Sequence, residues 1–450
     1  MGKKQPLAIR RISVKDLFGQ FTYDIPDNEI EDSSRLLILY GDNGSGKTKI
    51  LQLLYHLLSP ADDKGHRSFL SRIPFREFSV YLTNNNKITL LRTNKKLIGN
   101  YTLSIHEYDK QIIKSDIITR DGGVDSRKTS TEKYCSLISK LGFTVYYLSD
   151  QREFQSDELF FPDIANLHLS EYEDIKLKIL NESNIYRDLS RTRRTSSDIE
   201  TIRNRDLELA IRRIEDWLNR TVKQSLSKGE ISVNKIYAEI IKSISTKIDD
   251  EDLDKKIDLD ELTSDFIKLA NRSKKYDSFK MTSPIDIESI LNSIKNAPKA
   301  SYPTLKKVFQ PYIESLDARF KALEDVYKII NTFIEGLNAF YLNKTVEFDF
   351  REGILKIMIG KKRLDSKNLS SGEKQLLLLF CNVFLARDKP SIFLIDEPEI
   401  SLNIKWQRKL VKALLNLTEG SHVQFILATH SAELLTQYSD NVVHLKMRNR

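Results

Sequence analysis

Two adjacent carboxylates follow a short apolar run and have the arrangement needed for phosphate chemistry. The run 391–395 reads Ser-Ile-Phe-Leu-Ile and leads directly into Asp396 and Glu397. An unbroken apolar stretch of this length is typical of a buried strand, so both carboxylates are predicted to lie at a strand end. Carboxylates in that position can hold Mg²⁺ and orient a water molecule for attack on a phosphate.

A glycine-rich segment supplies a candidate site for the phosphate itself. It lies between the apolar stretch 36–40 and the helical pattern 49–58, and it consists of Gly41, Asp42, Asn43, Gly44, Ser45, Gly46, Lys47 and Thr48. This strand, turn and helix context is the one that the P-loop pattern requires. Backbone N–H groups and the helix N-terminus would bind a polyphosphate. Lys47 would reach the terminal phosphates, and Thr48 would offer its hydroxyl to Mg²⁺.

Two more polar side chains are predicted near strand ends. His430 comes shortly after the apolar stretch 423–428, and Gln151 comes shortly after the stretch 143–148. A glutamine beside a P-loop can contact Mg²⁺ and the attacking water, and an ordinary polar turn is the alternative interpretation of Gln151. A lone histidine is more often structural, so His430 becomes a candidate only together with the other segments.

A further polar segment opens the apolar, helix-like run 376–386. It consists of Leu369, Ser370, Ser371, Gly372, Glu373, Lys374 and Gln375. Serine and glycine followed by a glutamate before an apolar run predict a helix start. The strand that ends at Asp396 comes directly after this helix.

The remaining sequence supplies the elements that would position these groups. Alternating apolar and polar residues predict an antiparallel strand pair at 7–14 and 18–25, and a meander at 78–84, 87–93 and 101–108. The other predicted elements are a polar loop at 120–131, strands at 346–350, 354–359 and 442–446, and a helix at 405–417.

The middle of the chain has long, charged, helix-favouring sequence. Its clearest pattern is a heptad seam formed by Ile313, Leu316, Phe320, Leu323, Tyr327, Ile330, Ile334, Leu337 and Tyr341. A heptad seam predicts a helix that pairs with another, and the stretch 199–222 is the expected antiparallel partner. A plain amphipathic core helix is the alternative. The domains predicted are therefore 1–156, 157–343 as a helical insertion, and 344–450.

Charge and composition restrict the class of protein. The 450 residues carry a formal net charge of +8, which is compatible with an anionic partner such as nucleic acid or an acidic protein. The basic run 187–194 and the acidic run 249–261 are either contact surfaces or solvated faces. Two distant cysteines predict neither a disulfide framework nor a zinc site. No apolar run reaches the roughly 20 residues that span a bilayer, so we expect a cytoplasmic protein.

The order of these segments resembles the ATP-binding-cassette (ABC) ATPases, specifically the branch whose cassette is split by a helical insertion. RecF, the SMC proteins and the OLD-type ATPases belong to that branch. The resemblance covers residues 7–151 and 346–446. It implies an α/β fold, with an ABC-ATPase head that combines a mixed central sheet and an antiparallel β subdomain. An α-helical, short coiled-coil insertion would split this head.

The resemblance also implies a role for each segment. Residues 41–48 would be the Walker A motif, Gln151 the Q-loop, 369–375 the signature motif and 401–403 the D-loop. Asp396 would hold Mg²⁺ together with Thr48 and Gln151, Glu397 would be the general base, and His430 would sense the γ-phosphate. The residues implied to bind ATP are Gly41, Asn43, Gly44, Ser45, Gly46, Lys47, Thr48, Ser370, Ser371, Gly372 and Glu373. In this family the signature motif completes the site of a second subunit, which implies a head-to-tail dimer or a higher homo-oligomer.

Within that branch, the chain resembles the stand-alone ATPase subunits of bacterial anti-phage systems of the PARIS and Septu type. The insertion of nearly 200 residues separates it from transporter subunits. About twenty residues follow His430 in this sequence, so we do not expect an OLD-type Toprim domain in the chain. The resemblance implies a separately encoded nuclease effector, Toprim or HNH, and a phage component as trigger. The alternative is a DNA-binding repair ATPase similar to RecF, whose DNA affinity would fall steeply with salt.

Overall fold

A computed structural model describes most of the chain. The described residues are 7–26, 35–61, 64–93, 96–120, 123–125, 127–151, 154–156, 196–245, 259–282, 286–298, 301–399 and 404–446. The proposed D-loop at 401–403, the basic run at 187–194 and most of the acidic run at 249–261 lie outside them. Internal contacts divide the chain into one unit of Met1–Arg203 with Asn382–Arg450 and a second unit of Asn204–Cys381. The domain boundaries at 156/157 and 343/344 stay a prediction.

The secondary structure follows the apolar periodicity of the sequence. The strands are β1 (Ile9–Leu17), β2 (Phe21–Ile25), β3 (Leu36–Tyr40), β4 (Glu77–Leu82), β5 (Asn86–Arg92), β6 (Tyr101–Glu107), β7 (Lys110–Ile117), β8 (Thr119–Arg120), β9 (Gly123–Val124), β10 (Thr144–Leu148), β11 (Phe154–Ser156), β12 (Thr345–Asp349), β13 (Ile354–Ile359), β14 (Lys362–Leu364), β15 (Ser391–Asp396), β16 (Val423–Thr429) and β17 (Val442–His444). The helices are α1 (Lys47–Leu58), α2 (His66–Arg72), α3 (Glu132–Lys140), α4 (Ser196–Ser245), α5 (Leu259–Asp277), α6 (Ile287–Lys295), α7 (Tyr302–Asn338), α8 (Ser371–Leu385), α9 (Ile404–Leu417) and α10 (Ala432–Gln437). Among the described helices, none is both long and apolar enough to cross a membrane.

The first unit is built on a central sheet with the order β11-β10-β15-β16-β3-β17. All neighbours are parallel except β11, which runs antiparallel to β10. Every residue of β15 and β16 is buried, as expected for parallel strands covered on both faces. The register pairs Leu148 with Ile395, Asp396 with Ala428, and Thr429 with Tyr40, so the carboxyl ends of four strands share one edge.

A second sheet of this unit is antiparallel, with the order β2-β1-β4-β5-β6-β7. It contains the predicted strand pair and the predicted meander, and adds β7. The Gln424 side chain of β16 bonds both backbone groups of Ile9 at 2.8 Å, which ties the edge of β1 to the central sheet. The segment 120–131, predicted as a loop, contributes the short pairing of β8 with β9.

The second unit contains the predicted heptad helix. α7 begins at Tyr302 and runs through Pro311, and the seam residues are buried apart from the half-buried Tyr327. Among the described contacts, α7 pairs with α5, and the expected pairing of α7 with the stretch 199–222 stays a prediction. Phe266 meets Phe309, Arg272 meets Asp317, and Tyr276 meets Phe320.

These contacts advance in the same direction along both helices, so α5 and α7 run parallel and not antiparallel. The stretch 199–222 lies in α4, which bonds to the three-stranded sheet β12-β13-β14. Glu215 accepts the N–H of Leu355 at 2.8 Å, and Asn219 donates to the carbonyl of Gly353 at 2.9 Å. Glu215 and Asn219 lie one helical turn apart, so one face of α4 binds this sheet.

A buried carboxylate stabilises the end of β12. Asp349 accepts hydrogen bonds from Lys280 Nζ at 2.5 Å, from Lys356 Nζ at 2.9 Å and from the N–H of Arg351 at 3.0 Å. Burial alone would raise the pKa of Asp349, but the two lysines and the backbone donors hold it well below its usual value. The carboxylate therefore contributes most to stability in its charged form.

Replacing Asp349 with Asn should lower the free energy of unfolding by about 1–3 kcal/mol at neutral pH, because Lys280 loses its charged partner and Lys356 keeps only Glu352. The stabilisation is fully present above the ordinary carboxylate pKa of 3.8. It is lost as the pH falls toward the depressed folded value, so the difference between variant and wild type should shrink below that pH. Urea unfolding at several pH values measures this difference in the free energy of unfolding. Asp265→Asn, in an exposed pair with Lys268, is the control and should change stability by less than about 0.5 kcal/mol.

Candidate nucleotide site

The glycine-rich loop 41–48 connects β3 to α1. Gly44 and Gly46 have φ values of 84° and 91°, a region that favours glycine. A Cβ at Gly46 would lie 2.6 Å from Leu17 Cδ2, so the buried Leu17 side chain would have to shift. The hydroxyl of Tyr23 donates to the carbonyl of Ser45 at 3.0 Å, and burial raises the pKa of Tyr23 to about 12. The β1–β2 hairpin therefore supports the loop, which sequence reasoning did not anticipate.

Lys47 lies folded over this loop. Its Nζ donates to the carbonyls of Gly41 at 2.7 Å and Asp42 at 3.0 Å, and it is 3.4 Å from His430 Nδ1. Burial lowers the pKa of Lys47. The nearby carboxylates oppose that shift, and Glu397 has the largest opposing effect. The ammonium is thus held by weak neutral acceptors that an anion can replace.

Asp396 ends β15 and is only 2% exposed. Its Oδ1 accepts from Thr48 Oγ1 at 3.1 Å, and its Oδ2 accepts from Tyr147 Oη at 3.4 Å. Burial raises the pKa of Asp396 to about 6, and these two hydrogen bonds oppose the shift. A buried carboxylate without a cationic hydrogen-bond partner gains from a nearby cation.

Glu397 turns away from the strand and meets His430. Its φ is 47°, and its N–H donates to the carbonyl of Ala428 at 2.8 Å, which fixes this turn. Glu397 Oε1 lies 3.3 Å from His430 Nε2. Because the Lys47 ammonium can only donate, His430 Nδ1 is the accepting nitrogen, and Nε2 carries the proton that faces Glu397. The three side chains therefore form one chain of contacts.

A third acidic residue, Glu399, follows Glu397 by two positions, and the sequence pattern assigns it no role. Its Oε1 accepts from Thr429 Oγ1 at 2.6 Å and from the His430 N–H at 2.8 Å. Glu399 thus bonds the backbone at the end of β16. The only sequence signal was a second glutamate two positions after Glu397.

The predicted helix start at Ser370 is confirmed in the second unit. The Ser370 N–H donates to Glu373 Oε2 at 2.8 Å, and the Glu373 N–H donates to Ser370 Oγ at 3.4 Å, which is a reciprocal capping box. Lys344 Nζ contacts both Glu373 oxygens, at 2.7 and 2.8 Å. Burial would raise the pKa of Glu373, but Lys344 and Ser370 lower it. Both carboxylate oxygens of Glu373 are therefore bonded within the chain, to Lys344 and Ser370. These bonds hold the start of α8 at Ser371 and Gly372.

Gln151 lies on the carboxyl side of β10, which neighbours β15. Its described contacts are made by the backbone: its N–H donates to Asp150 Oδ1 at 2.8 Å, and its carbonyl accepts from Arg203 Nη2 at 2.6 Å. The residue is exposed. The structure thus brings together Lys47, Thr48, Asp396, Glu397 and His430, and it leaves the Gln151 side chain without a described contact to them.

The donor set suits Mg²⁺. Thr48 Oγ1 and the Asp396 carboxylate are oxygen ligands already 3.1 Å apart. Among the described residues there is no group of three or more His, Cys, Asp or Glu that could hold a metal. Mg²⁺ is usually held by one or two protein oxygens, waters and substrate phosphates, so Thr48 and Asp396 fit this ion.

Comparison with protein families finds one extensive match. The model of the family described as "AAA domain, putative AbiEii toxin, Type IV TA system" matches residues 36–436. The match begins at β3 and ends within α10, so it includes both the glycine-rich loop and His430.

Individual relatives match over shorter stretches. A putative ABC transporter ATP-binding protein of Methanosarcina mazei is 20% identical over 314 residues, which are 60% of this chain and 61% of that protein. One of Pyrococcus abyssi is 33% identical over 111 residues, 25% of this chain and 40% of that protein. The retron Vc95 probable ATPase of Vibrio cholerae is 28% identical over 131 residues, 27% of this chain and 24% of that protein. The chain thus matches less than two thirds of the length of each.

Among solved structures, the chain is similar to an Smc head domain with an extended coiled coil, from Pyrococcus furiosus, bound to the C-terminal domain of ScpA. The identity is 15% and the TM-score 0.40, with 98% of this chain and 94% of that chain covered.

Proposed function

The chain belongs to the family described as "AAA domain, putative AbiEii toxin, Type IV TA system". We propose that it is an ABC-type ATPase of the SMC, OLD and RecF branch and that it hydrolyses ATP. The observation that carries this proposal is the chain of contacts from Lys47 through His430 to Glu397. It lies beside the Thr48–Asp396 pair at one edge of the central sheet. In open α/β sheets, ligands bind outside the carboxyl ends of the strands.

Each residue has a role that its present contacts support. Lys47 exchanges the carbonyls of Gly41 and Asp42 for phosphate oxygens, which are stronger acceptors because they are charged. The N–H groups of the loop and of the first turn of α1 bind the same polyphosphate. Glu397 accepts the proton of the attacking water, and His430 donates from Nε2 to the terminal phosphate or to Glu397.

Thr48 and Asp396 would hold Mg²⁺, which neutralises charge on the phosphates when it is bound. Tyr147 orients the Asp396 carboxylate from the opposite side, through its 3.4 Å contact with Oδ2. Gln151 remains a candidate ligand on the resemblance alone.

Purified protein should release phosphate from ATP only with Mg²⁺. Removing the metal with EDTA should reduce the rate to background, because Asp396 and Thr48 alone cannot neutralise the phosphate charge. Re-addition of Mg²⁺ should restore the rate, which excludes unfolding as the cause. A metal-independent rate, or no release from folded protein under any condition, would refute the proposal.

The signature motif is proposed to act in a second copy of the chain. Its support is the ordered helix start at Ser370 and Glu373 together with the family resemblance. N–H groups at a helix N-terminus bind anions, so Ser371 and Gly372 can contact an ATP held by another subunit. The proposed assembly is a head-to-tail homodimer with two ATP molecules.

The biological role proposed is control of a separately encoded nuclease in anti-phage defence. The similarity to the retron Vc95 probable ATPase and the toxin–antitoxin family description support it. In this proposal the ATPase binds a Toprim or HNH effector and activates or releases it when a phage component is sensed. Co-expression with the product of the neighbouring open reading frame, followed by mass analysis of the purified complex, tests the proposed partner.

A further inference from the structure

Glu399 connects two segments that both lead into the nucleotide site. It follows the strand β15 by three residues, and its side chain reaches the end of β16. Its Oε1 accepts two hydrogen bonds at once, from the Thr429 hydroxyl at 2.6 Å and from the His430 N–H at 2.8 Å. The other oxygen, Oε2, is buried and makes no hydrogen bond. One carboxylate oxygen therefore carries the whole interaction.

A second set of bonds holds the same junction. Gln407 of α9 donates from Nε2 to the Glu399 carbonyl at 3.4 Å and accepts at Oε1 from Ser431 Oγ at 3.1 Å. The Ser431 N–H in turn donates to Thr429 Oγ1 at 2.9 Å. The backbone around His430 is thus bonded on both sides to Glu399 or to residues that contact it.

The His430 imidazole has little else to set its orientation. Its described contacts are with Lys47 at 3.4 Å and with Glu397 at 3.3 Å, both at the long end of hydrogen-bond distances. Both of these partners must move or bind other groups when ATP enters. The backbone bond to Glu399 is shorter and does not involve a group that would contact ATP.

We propose that Glu399 is a positioning residue for His430, which holds the imidazole in line with Lys47 and Glu397 during ATP hydrolysis. The inference rests on the proposed ATPase function, since His430 matters only if its site turns over. Glu399 acts through the position of its Oε1, which accepts the hydrogen bonds from Thr429 Oγ1 and from the His430 N–H. The negative charge of its carboxylate is not required, although that charge also lies close enough to Lys47 to affect it.

Two conservative variants separate geometry from charge. Glu399→Gln keeps an acceptor oxygen at the same reach and removes the charge, so kcat should stay within about threefold of wild type. Glu399→Asp keeps the charge but shortens the side chain by one methylene, so kcat should fall about 10- to 100-fold with unchanged ATP affinity. The reverse order, with Gln impaired and Asp active, would overturn the proposal in favour of a charge effect on Lys47.

A double-variant cycle with His430→Ala tests whether Glu399 acts through the imidazole. Adding Glu399→Asp to His430→Ala should change kcat by less than about twofold, because the positioned group is already absent. A full additional loss would contradict the proposal. Glu77→Asp is the matched control, since Glu77 also accepts two side-chain bonds, from Lys15 at 2.8 Å and Ser79 at 3.2 Å, in the antiparallel sheet. It should leave kcat unchanged.

A spectroscopic readout keeps the inference distinct from the proposed function. The imidazole nitrogen resonances of His430, identified by their loss in His430→Ala, should move in Glu399→Asp and stay in place in Glu399→Gln. If the wild type releases no phosphate but this pattern is found, the positioning stands and the ATPase proposal alone fails. If the wild type hydrolyses ATP and neither variant moves the resonances, the positioning role is refuted.

Discussion

Replacing Glu397 with Gln is expected to lower kcat for ATP hydrolysis by about 10²- to 10⁴-fold while ATP still binds. Glutamine has nearly the same shape and can still accept the proton of His430 Nε2, which now lies 3.3 Å from the carboxylate. It cannot take a proton from water. The variant therefore removes the base and leaves the phosphate-binding loop and the Thr48–Asp396 pair unchanged. Phosphate release and equilibrium binding of ATP, measured on the same sample, separate the two effects.

Lys47→Ala provides the contrast for this experiment. It should also abolish hydrolysis, but by weakening the binding of ATP, because its Nζ is the cation folded over the loop carbonyls. ATP should then stabilise the Glu397→Gln variant against thermal unfolding and fail to stabilise Lys47→Ala. If hydrolysis drives anti-phage defence, both variants lose protection in a plaque assay. Glu397→Gln with a wild-type rate would exclude Glu397 as the base.

The parallel sheet and its polar edge were predictable from the sequence because local patterns specify them. The stretches 36–40, 391–395 and 423–428 are short apolar runs, and each ends at a polar group that the parallel register brings to the same edge. Side chains directly after such strands must lie close together. The proximity of Asp396 and His430 therefore followed from strand ends, and that of Lys47 from the glycine-rich loop that follows β3.

Contacts between distant segments could not be predicted in this way. The heptad seam predicted a partner for α7 but carried no information on direction, and the parallel partner α5 shows no comparably long seam of its own. Glu399 bonds the backbone of His430, 31 positions away, and a backbone N–H leaves no mark on the sequence. Similarly, Tyr23 supports the loop through the carbonyl of Ser45. Interactions with backbone groups are invisible to reasoning from side-chain patterns.

The division of the site between two subunits is the second large effect that we expect. In the proposed dimer, Lys47, Asp396 and Glu397 act on the ATP of their own subunit, whereas Ser371 and Gly372 act on the ATP of the partner. Two inactive variants should then complement each other. One is Lys47→Ala, and the other is Gly372→Asp, which places a negative charge at the helix N-terminus where a phosphate would bind.

Mixing these two variants in equal amounts should restore about one quarter of the wild-type rate. Random reassortment makes half of the dimers mixed, and each mixed dimer has one site with an intact Lys47 from one subunit and an intact Gly372 from the other. If the signature motif acted within its own chain, every subunit in the mixture would carry a defective site and no activity would return. Phosphate release is measured after the subunits have been exchanged, with each variant alone as the baseline. Activity that rises with the fraction of mixed dimers, and is greatest at equal amounts, would show that hydrolysis depends on assembly.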